Sequence, residues 1–311
     1  MTKTLDNGMQ GPYACILFDT TFKVVLCNPR NEKLMIQILE LLIPGKRIQS
    51  IEFLDKEKHG LEINEKSVTF DMLCRERNTG EEFLVEVQNE KQDGYTDRML
   101  SYSTYPIREQ MEKRIARLKD EEPIDRMDYK LKPVYVLSFL NFTLDHESDA
   151  GLDESGLISR YSLRNDRNAE LMTDALHFIY VEMGRLRYRS GEEAKCKTLL
   201  EKFIFSMKYI HRMTARPESF REDMLSRLYE ATLKANLTID ELQKYDKTMY
   251  TELDRVAQMN YARKEGMEEG IAKGEAKGRA EVAKEMLKHG ISLETVISCT
   301  GLSQEAVESL R

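Results

Sequence analysis

The sequence has 311 residues, a formal net charge of −7, 41% hydrophobic residues and 32% charged residues. That supplies enough apolar side chains for the core of one large domain or two ordinary ones. The acidic balance weighs against a basic DNA-coating protein but does not exclude DNA binding, which depends on local basic surfaces.

Other composition features narrow the class of protein further. No run reaches the roughly 18 apolar residues of a membrane span, and residues 1–11 form a polar leader without the apolar centre of a signal peptide. The five cysteines are scattered and form no CxxC pair, which disfavours a zinc site and a disulfide framework. We therefore expect a cytoplasmic protein with reduced cysteines and no membrane association.

Hydrophobic periodicity predicts a helix over residues 31–43, ended by Pro44-Gly45, and a short strand within residues 48–54. Residues 67–74 and 82–88 then alternate as strands do, with a turn at Asn78-Thr79-Gly80 between them. Alternation places Asp71 on the face of Leu73, opposite Phe70 and Met72, and it groups Glu86 with Gln88 on one face of the second strand.

The middle of the chain alternates between helical and strand patterns. A charged helix is predicted over residues 97–119, interrupted or kinked at Pro106. The apolar run of residues 133–142 predicts a buried central strand, and residues 157–163 and 176–183 are further strand candidates. These elements indicate an α/β domain with a mixed β-sheet flanked by helices.

From residue 192 onward the pattern is helical. Helices are predicted over residues 194–213 and 220–235, and Thr238 with Glu241 forms a capping box for a helix that runs toward Tyr261. Gly266, Gly270, Gly274 and Gly278 then recur every four residues, which is typical of either a solvated helical linker or a self-association stalk. Ser292 and Ser303 are N-caps of two short final helices, which either form a plain hairpin or a DNA-reading helix–turn–helix.

The predicted organisation has five segments: a leader over residues 1–11, an α/β domain over 12–190, a helical region over 191–261, a Gly-repeat charged helix or linker over 262–281, and a small helical hairpin over 282–311.

Asp71 and Glu86 are the candidates for metal chemistry. Mg²⁺ favours one or two carboxylates completed by waters and substrate phosphate, and two acidic residues on paired strands can supply that geometry, with the Val87 carbonyl as a further ligand. Gln88 can hydrogen-bond an attacking water or a phosphate oxygen but cannot act as a cation. The pattern by itself is common, and exposed acidic residues on a half-buried sheet are the alternative interpretation.

Several motifs, in their order and spacing, resemble the PD-(D/E)xK nuclease family transposases, relatives of the recombination-promoting nucleases. The motifs are Phe18-Asp19-Thr20-Thr21-Phe22-Lys23, Phe70-Asp71-Met72-Leu73, Glu86-Val87-Gln88, the Arg98 and Tyr102 pair, and the Gly-repeat with the tail that follows it. The resemblance covers nearly the whole chain and implies a restriction-endonuclease-like core followed by an α-helical C-terminal region.

The resemblance also implies roles for individual residues. Asp71 and Glu86 would bind Mg²⁺ or Mn²⁺, Gln88 would take the place of the superfamily lysine, and Arg98 would contact phosphate or brace the site. Tyr102 lies one helical turn after Arg98 and is either part of the site or a core tyrosine. Asp19 and Lys23 support the site or the structure around it.

The function implied is metal-dependent cleavage of double-stranded DNA in transposition or recombination. The alternatives are an inactive DNA-binding or protein-interaction module with the same fold, and a scaffold that forms homo-oligomers through its C-terminal helices. Phosphate contacts are expected from one or both of two basic groups, Arg108, Lys113, Arg114, Arg117 and Lys119 in the first and Arg185, Arg187 and Arg189 in the second.

Overall fold

A mixed β-sheet organises the chain. The computed structural model describes residues 11–54, 70–120 and 129–310, with residues 117–120 as backbone alone. Within these residues the sheet has six strands in the order β1-β2-β3-β4-β6-β5. The strands are β1 (Ile51–Phe53), β2 (Met72–Glu76), β3 (Glu82–Gln88), β4 (Val134–Leu140), β5 (Ile158–Ser162) and β6 (Leu176–Glu182).

The centre of the sheet is parallel and its two sides are antiparallel. β3, β4 and β6 run parallel to one another, while β1–β2, β2–β3 and β5–β6 are antiparallel pairs. All seven residues of β4 are buried, which confirms the central strand predicted from its unbroken apolar run.

Helices of the sheet-containing part of the chain pack on both faces of the sheet. The helices of the described residues are α1 (Asp19–Leu26), α2 (Glu32–Leu42), α3 (Tyr95–Asp120), α4 (Leu199–Tyr209), α5 (Asp223–Thr232), α6 (Ile239–Lys288), α7 (Leu293–Thr300) and α8 (Gln304–Glu308). On one face, Met99 of α3 packs in a core cluster with Leu84 of β3 and Val136 of β4. On the other face, the Phe139 ring of β4 lies 6.0 Å from Phe22 of α1 and 5.9 Å from Phe203 of α4.

Two compact units divide the chain, Met1–Thr248 and Met249–Arg311. The first contains the sheet together with α4 and α5, since α5 contacts both α1 and α2. The second contains a small core in which Ala283, Val296 and Val307 are buried at the end of α6 and in α7 and α8. The division into five segments stays a prediction.

Capping residues bear out several predicted helix boundaries. The Thr238 hydroxyl accepts a bond from the Glu241 backbone N–H, while the Glu241 carboxylate accepts one from the Thr238 N–H. Ser292 and Ser303 cap α7 and α8 as expected. Gly301 adopts φ +65° between these two helices, a conformation that favours glycine.

Of the two outcomes predicted for Pro106, interruption of the helix is wrong, because α3 is continuous with Pro106 inside it, and a kink stays a prediction. The predicted face of Phe70 is also wrong. Phe70 packs in the core cluster of Leu73 and Leu84, and not on the opposite face with Met72. The reason is that β2 begins at Met72, so strand alternation does not apply to Phe70 and Asp71. Residues 1–10 of the predicted leader (residues 1–11) and residues 67–69 lie outside the described residues.

Candidate metal site at the ends of strands β2 and β3

Asp71 and Glu86 face each other where β2 begins and β3 nears its end. Met72 pairs with Val85 in the antiparallel ladder, so the next position along brings Asp71 opposite Glu86. The Asp71 backbone N–H donates to Glu86 Oε1 at 3.0 Å, and the Val87 N–H donates to Asp71 Oδ2 at 2.9 Å. Each carboxylate is therefore bound to the backbone of the other strand, which holds the two side chains at one place.

Glu86 is a buried carboxylate, with only 6% of the residue exposed. It lies beside buried Ser138, its register partner on β4. The pKa of Tyr95 on α3 is raised, mainly by burial of the phenol and further by the charge of Glu86. A carboxylate placed this deeply needs compensating partners, and a bound cation is one way to provide compensation.

Asp71 faces helix α1, where Asp19 and Lys23 lie one turn apart. The Lys23 Nζ lies 3.5 Å from Asp71 Oδ1 and also forms an ion pair with Asp19. Burial raises the pKa of Asp71 to about 6, and a hydrogen bond with Asp19 adds to the rise. Burial lowers the pKa of Lys23, but the bond to Asp19 and the charges of Asp19 and Asp71 outweigh it, so the pKa is raised and the side chain is a cation.

Contacts from the residue that follows β3 and the residue that precedes β2 fix α1 at the site. The Asn89 side chain donates to the Leu17 carbonyl at 2.7 Å, just before α1 begins. Cys27, which follows α1, donates its Sγ–H to the Asp71 carbonyl at 3.4 Å. Phe22 is fully buried against the sheet. Lys23 therefore reaches the carboxylates from a fixed element, although it is 48 residues from Asp71 in the sequence.

Gln88 forms bonds within the protein through both ends of its amide. Its Oε1 accepts from Arg98 Nη2 at 2.9 Å, and its Nε2 donates to the Glu90 carbonyl at 3.0 Å. Arg98 also donates to Gln92 Oε1 at 2.7 Å and lies over the Tyr95 ring at 5.0 Å. Of the two roles that the resemblance implied for Arg98, these contacts favour bracing the site.

Tyr102 lies between the site and the core. Its ring packs edge-on against Phe70 at 5.2 Å, and Arg98 lies 5.7 Å from its centroid. Burial raises the pKa of Tyr102, and the neighbouring Glu86 charge adds to the rise. Tyr95 was not singled out from the sequence. The spacing of Tyr95, Arg98 and Tyr102, at i, i+3 and i+7, was the signal that all three share one helix face.

The residues at this site fit a hard divalent cation. Two carboxylates from neighbouring strands are the protein ligands that Mg²⁺ commonly takes, with waters and substrate phosphate completing its shell. Among the described residues, no group of three or more His, Cys, Asp or Glu side chains is arranged to hold a metal ion.

The basic side chains predicted to contact phosphate have varied surroundings. Arg108 is paired with Glu112 at 3.1 Å, and Lys113 with Glu109 at 2.6 Å. Arg185 binds Glu182 and Asp149, so its charge is used inside the fold. The side chains of Arg117 and Lys119 lie outside the described residues. Proximity in sequence therefore did not distinguish available cations from paired ones.

A mixed sheet with helices on both faces and acidic residues at adjoining strand ends is the architecture of the PD-(D/E)xK nucleases. Residues 16–262 match the model of one family, described as the PD-(D/E)XK nuclease family transposases. The match spans more than half of the chain, and the protein belongs to this family. No curated protein and no solved structure matches the sequence.

Within the described residues, no helix combines the length and the apolar character needed to cross a bilayer.

Proposed function

We propose that the protein is a divalent-metal-dependent DNA endonuclease of the transposase and recombination-promoting type. Asp71 and Glu86 bind Mg²⁺ or Mn²⁺, and double-stranded DNA is the substrate. The observation that carries the proposal is the reciprocal bonding of these two carboxylates at the strand ends. It is supported by membership of a nuclease family, and it includes the expected cytoplasmic location.

The bound cation would polarise a water and offset charge on the reacting phosphate. Asp71 and Glu86 hold their oxygens in place before substrate arrives, because each is fixed by a backbone N–H. Such fixed geometry lowers the cost of assembling the reacting groups.

Lys23 takes the role of the lysine that the wider superfamily has at the motif position occupied here by Gln88. Gln88 cannot be a cation, and its amide is already bonded to Arg98 and Glu90. Lys23 brings a positive charge to within 3.5 Å of Asp71. In this position it stabilises negative charge that develops on the phosphate, as donors aimed at the transition state do. Asp19 positions the ammonium through their ion pair.

A plasmid-nicking assay with Mg²⁺ tests the site. We expect Asp71→Asn and Glu86→Gln each to lower the nicking rate by at least about 10²-fold, since loss of a single well-placed electrostatic contact costs that much. The matched control is Glu52→Gln, which removes an exposed carboxylate from β1 of the same sheet. Rates equal to wild type in both site variants would eliminate the proposed centre.

A catalytically inactive DNA-binding or interaction module with the same fold is the second candidate. It is favoured by Gln88, whose amide is committed to bonds within the protein. A mobility-shift assay at low salt without metal distinguishes the two candidates. DNA binding together with no nicking in Mg²⁺ or Mn²⁺ would support the inactive module, and absence of both would leave a protein scaffold.

A further inference from the structure

A basic groove lies at the opposite end of β3 from the candidate metal site. It has a volume of about 450 Å³ and is bounded by the turn after β2, the second half of α3 and the segment before β4. Its charged lining consists of Arg75, Lys113, Arg114, Lys130, Lys132 and Glu82. Glu82 and Glu86 are four residues apart on β3, which corresponds to about 13 Å.

The groove wall formed by residues 130–132 is hydrogen-bonded to α3. The Lys132 N–H donates to Gln110 Oε1 at 2.8 Å, and Gln110 Nε2 donates to the Lys132 carbonyl at 3.3 Å. This pair of hydrogen bonds between the Gln110 side chain and the Lys132 backbone fixes the separation of the two walls. Gly80, at φ +76°, allows the turn on the other side to pass close to the Lys132 side chain.

Two lysines of the groove lie outside the ion pairs that the described residues form. Arg75 pairs with buried Glu82 at 2.6 Å, and Lys113 pairs with Glu109 at 2.6 Å. Those contacts offset the charges of Arg75 and Lys113. Among the described residues, the ammonium groups of Lys130 and Lys132 form no ion pair, and both residues are exposed. A local positive charge of this size contrasts with the net charge of −7 of the whole chain.

A second basic pocket serves as a comparison, because its cations form ion pairs that join elements of the fold. It lies between α2 and α5, and its cations are Arg30, Lys33 and Arg227. Arg30 pairs with Glu241, and both Lys33 and Arg227 pair with Asp223. Its positive charges are therefore used to join elements of the fold, whereas Lys130 and Lys132 are exposed and form no ion pair with any residue that the structure describes.

We propose that this groove binds a phosphate group, with the backbone of a DNA segment that flanks the cleavage site as its source. The lysines act as point charges that a phosphodiester can meet in several orientations, which suits recognition without sequence preference. The assignment of the source rests on the proposed nuclease function, but the assignment of phosphate chemistry does not.

The test compares two double variants by fluorescence anisotropy on a short labelled duplex, in EDTA so that no cleavage occurs. Lys130→Gln with Lys132→Gln removes the two groove charges, and Lys273→Gln with Lys277→Gln removes two exposed charges from α6 as a control. We expect the groove variant to bind about tenfold more weakly near 0.1 M salt and to lower the salt slope by about 1 to 2. The control should bind as wild type does.

A second arm uses inorganic pyrophosphate, followed by isothermal titration, to distinguish the two sources of phosphate. Weaker DNA binding in the groove variant, with DNA binding unchanged in the α6 control variant, supports DNA as the ligand. Unchanged DNA binding, with pyrophosphate bound by wild type and lost in the groove variant, keeps the phosphate site and assigns it to a small molecule. No difference between the groove variant and wild type in either arm overturns the proposal. Because the binding assays contain no divalent metal, their outcome does not depend on whether the Asp71→Asn variant loses nicking activity. Failure of the groove proposal can therefore be distinguished from failure of the proposed nuclease function.

Discussion

Lys23 and Gln88 differ in what their side chains contact. Gln88 joins the end of β3 to α3 through Arg98, while Lys23 contacts the carboxylate proposed to bind metal. In the proposed mechanism, the strand position and the positive charge of the superfamily lysine are therefore divided between Gln88 and Lys23, which belong to different elements.

Replacing Lys23 tests this division. We expect Lys23→Ala to lower kcat for nicking by about 10²-fold, because a charge aimed at the reacting phosphate is lost. Lys23→Arg should keep part of the rate, and the Mg²⁺ concentration for half-maximal activity should not rise in either variant. Lys33→Ala, on the next helix, is the control. A rate unchanged in Lys23→Ala would contradict the role.

Replacing Gln88 by lysine should destabilise the fold. Gln88→Lys removes the acceptor of Arg98 and places an ammonium beside its guanidinium, so we expect the free energy of unfolding to fall by about 1–3 kcal/mol. Gln88→Glu retains an acceptor for Arg98 and should cost less. Urea denaturation measures both. A Gln88→Lys variant as stable as wild type would show that the Arg98 bond is dispensable.

At the scale of elements, α6 contains the whole Gly-repeat. All four repeat glycines lie within this helix, and a Cβ placed at any of them meets nothing within 4 Å. Glycine costs a helix about 0.5–1 kcal/mol relative to alanine through backbone entropy alone. The repeat is therefore a weak part of the helix whether it acts as a linker or as a stalk for self-association.

Alanine at all four positions distinguishes the linker from the stalk. If the repeat is a solvated linker, the variant should slow amide hydrogen exchange over residues 265–281, about fivefold for each kcal/mol gained, and leave the oligomeric state unchanged. If another chain's backbone packs on the glycines, the added methyl groups should dissociate the oligomer. Exchange and light scattering on the same samples give the answer, and faster exchange without dissociation would contradict both interpretations.

The exposed surface of α8 disfavours one interpretation of the tail. Its exposed side chains include Gln304, Glu305 and Glu308, so the helix that would enter a DNA groove is acidic. A helix in a DNA groove lies between phosphates, which repel Glu305 and Glu308, and the Gln304 amide already donates to Glu308 Oε1 at 2.8 Å. The small core of α7 and α8 with the end of α6 therefore favours the plain helical hairpin.

For the whole molecule, His211 makes stability depend on pH. The residue is 7% exposed, and burial lowers its pKa from 6.5 to about 4, with Arg212 and Lys234 adding to the shift. Between these values the unfolded chain binds more protons than the folded one, so stability falls as pH falls. The free energy of unfolding lost through His211 approaches about 3 kcal/mol as the pH falls to about 4.

His211→Gln should flatten that dependence. We expect urea denaturation of wild type between about pH 6.5 and pH 4 to show a steeper loss of stability than the variant, whatever the variant's stability at neutral pH. His289→Gln, on an exposed histidine, should follow the wild-type slope. Equal slopes in wild type and His211→Gln would show that another group controls the dependence.

Local patterns predicted those parts of the molecule that depend on local causes. The apolar run of β4, the alternation of β3 and the capping box at Thr238 each identified a real element. Phe70 was misplaced because β2 begins two residues later, and strand ends follow pairing rather than local propensity. Continuity of α3 through Pro106 likewise reflects tertiary packing, since Tyr95, Met99 and Tyr105 hold the helix to the sheet.

The spatial arrangement of the site depends on long-range contacts. Sequence patterns predicted that Asp71 and Glu86 lie on paired strands, and the resemblance pointed to Lys23 and Arg98. Neither indicated that Lys23 would face Asp71 while Arg98 bonds to Gln88, because those contacts follow from how α1 and α3 pack on opposite faces of the sheet. The groove cations Lys130 and Lys132 were missed because two lysines before a strand are an ordinary solvated pattern.

The most direct test of the metal site is a crystal soaked in Mn²⁺ and measured for anomalous scattering. The proposed metal site predicts one manganese peak with a carboxylate oxygen of Asp71 and one of Glu86 each at about 2.1–2.3 Å. A peak bound by other side chains, or Mn²⁺-dependent nicking with no peak between these two carboxylates, would contradict it.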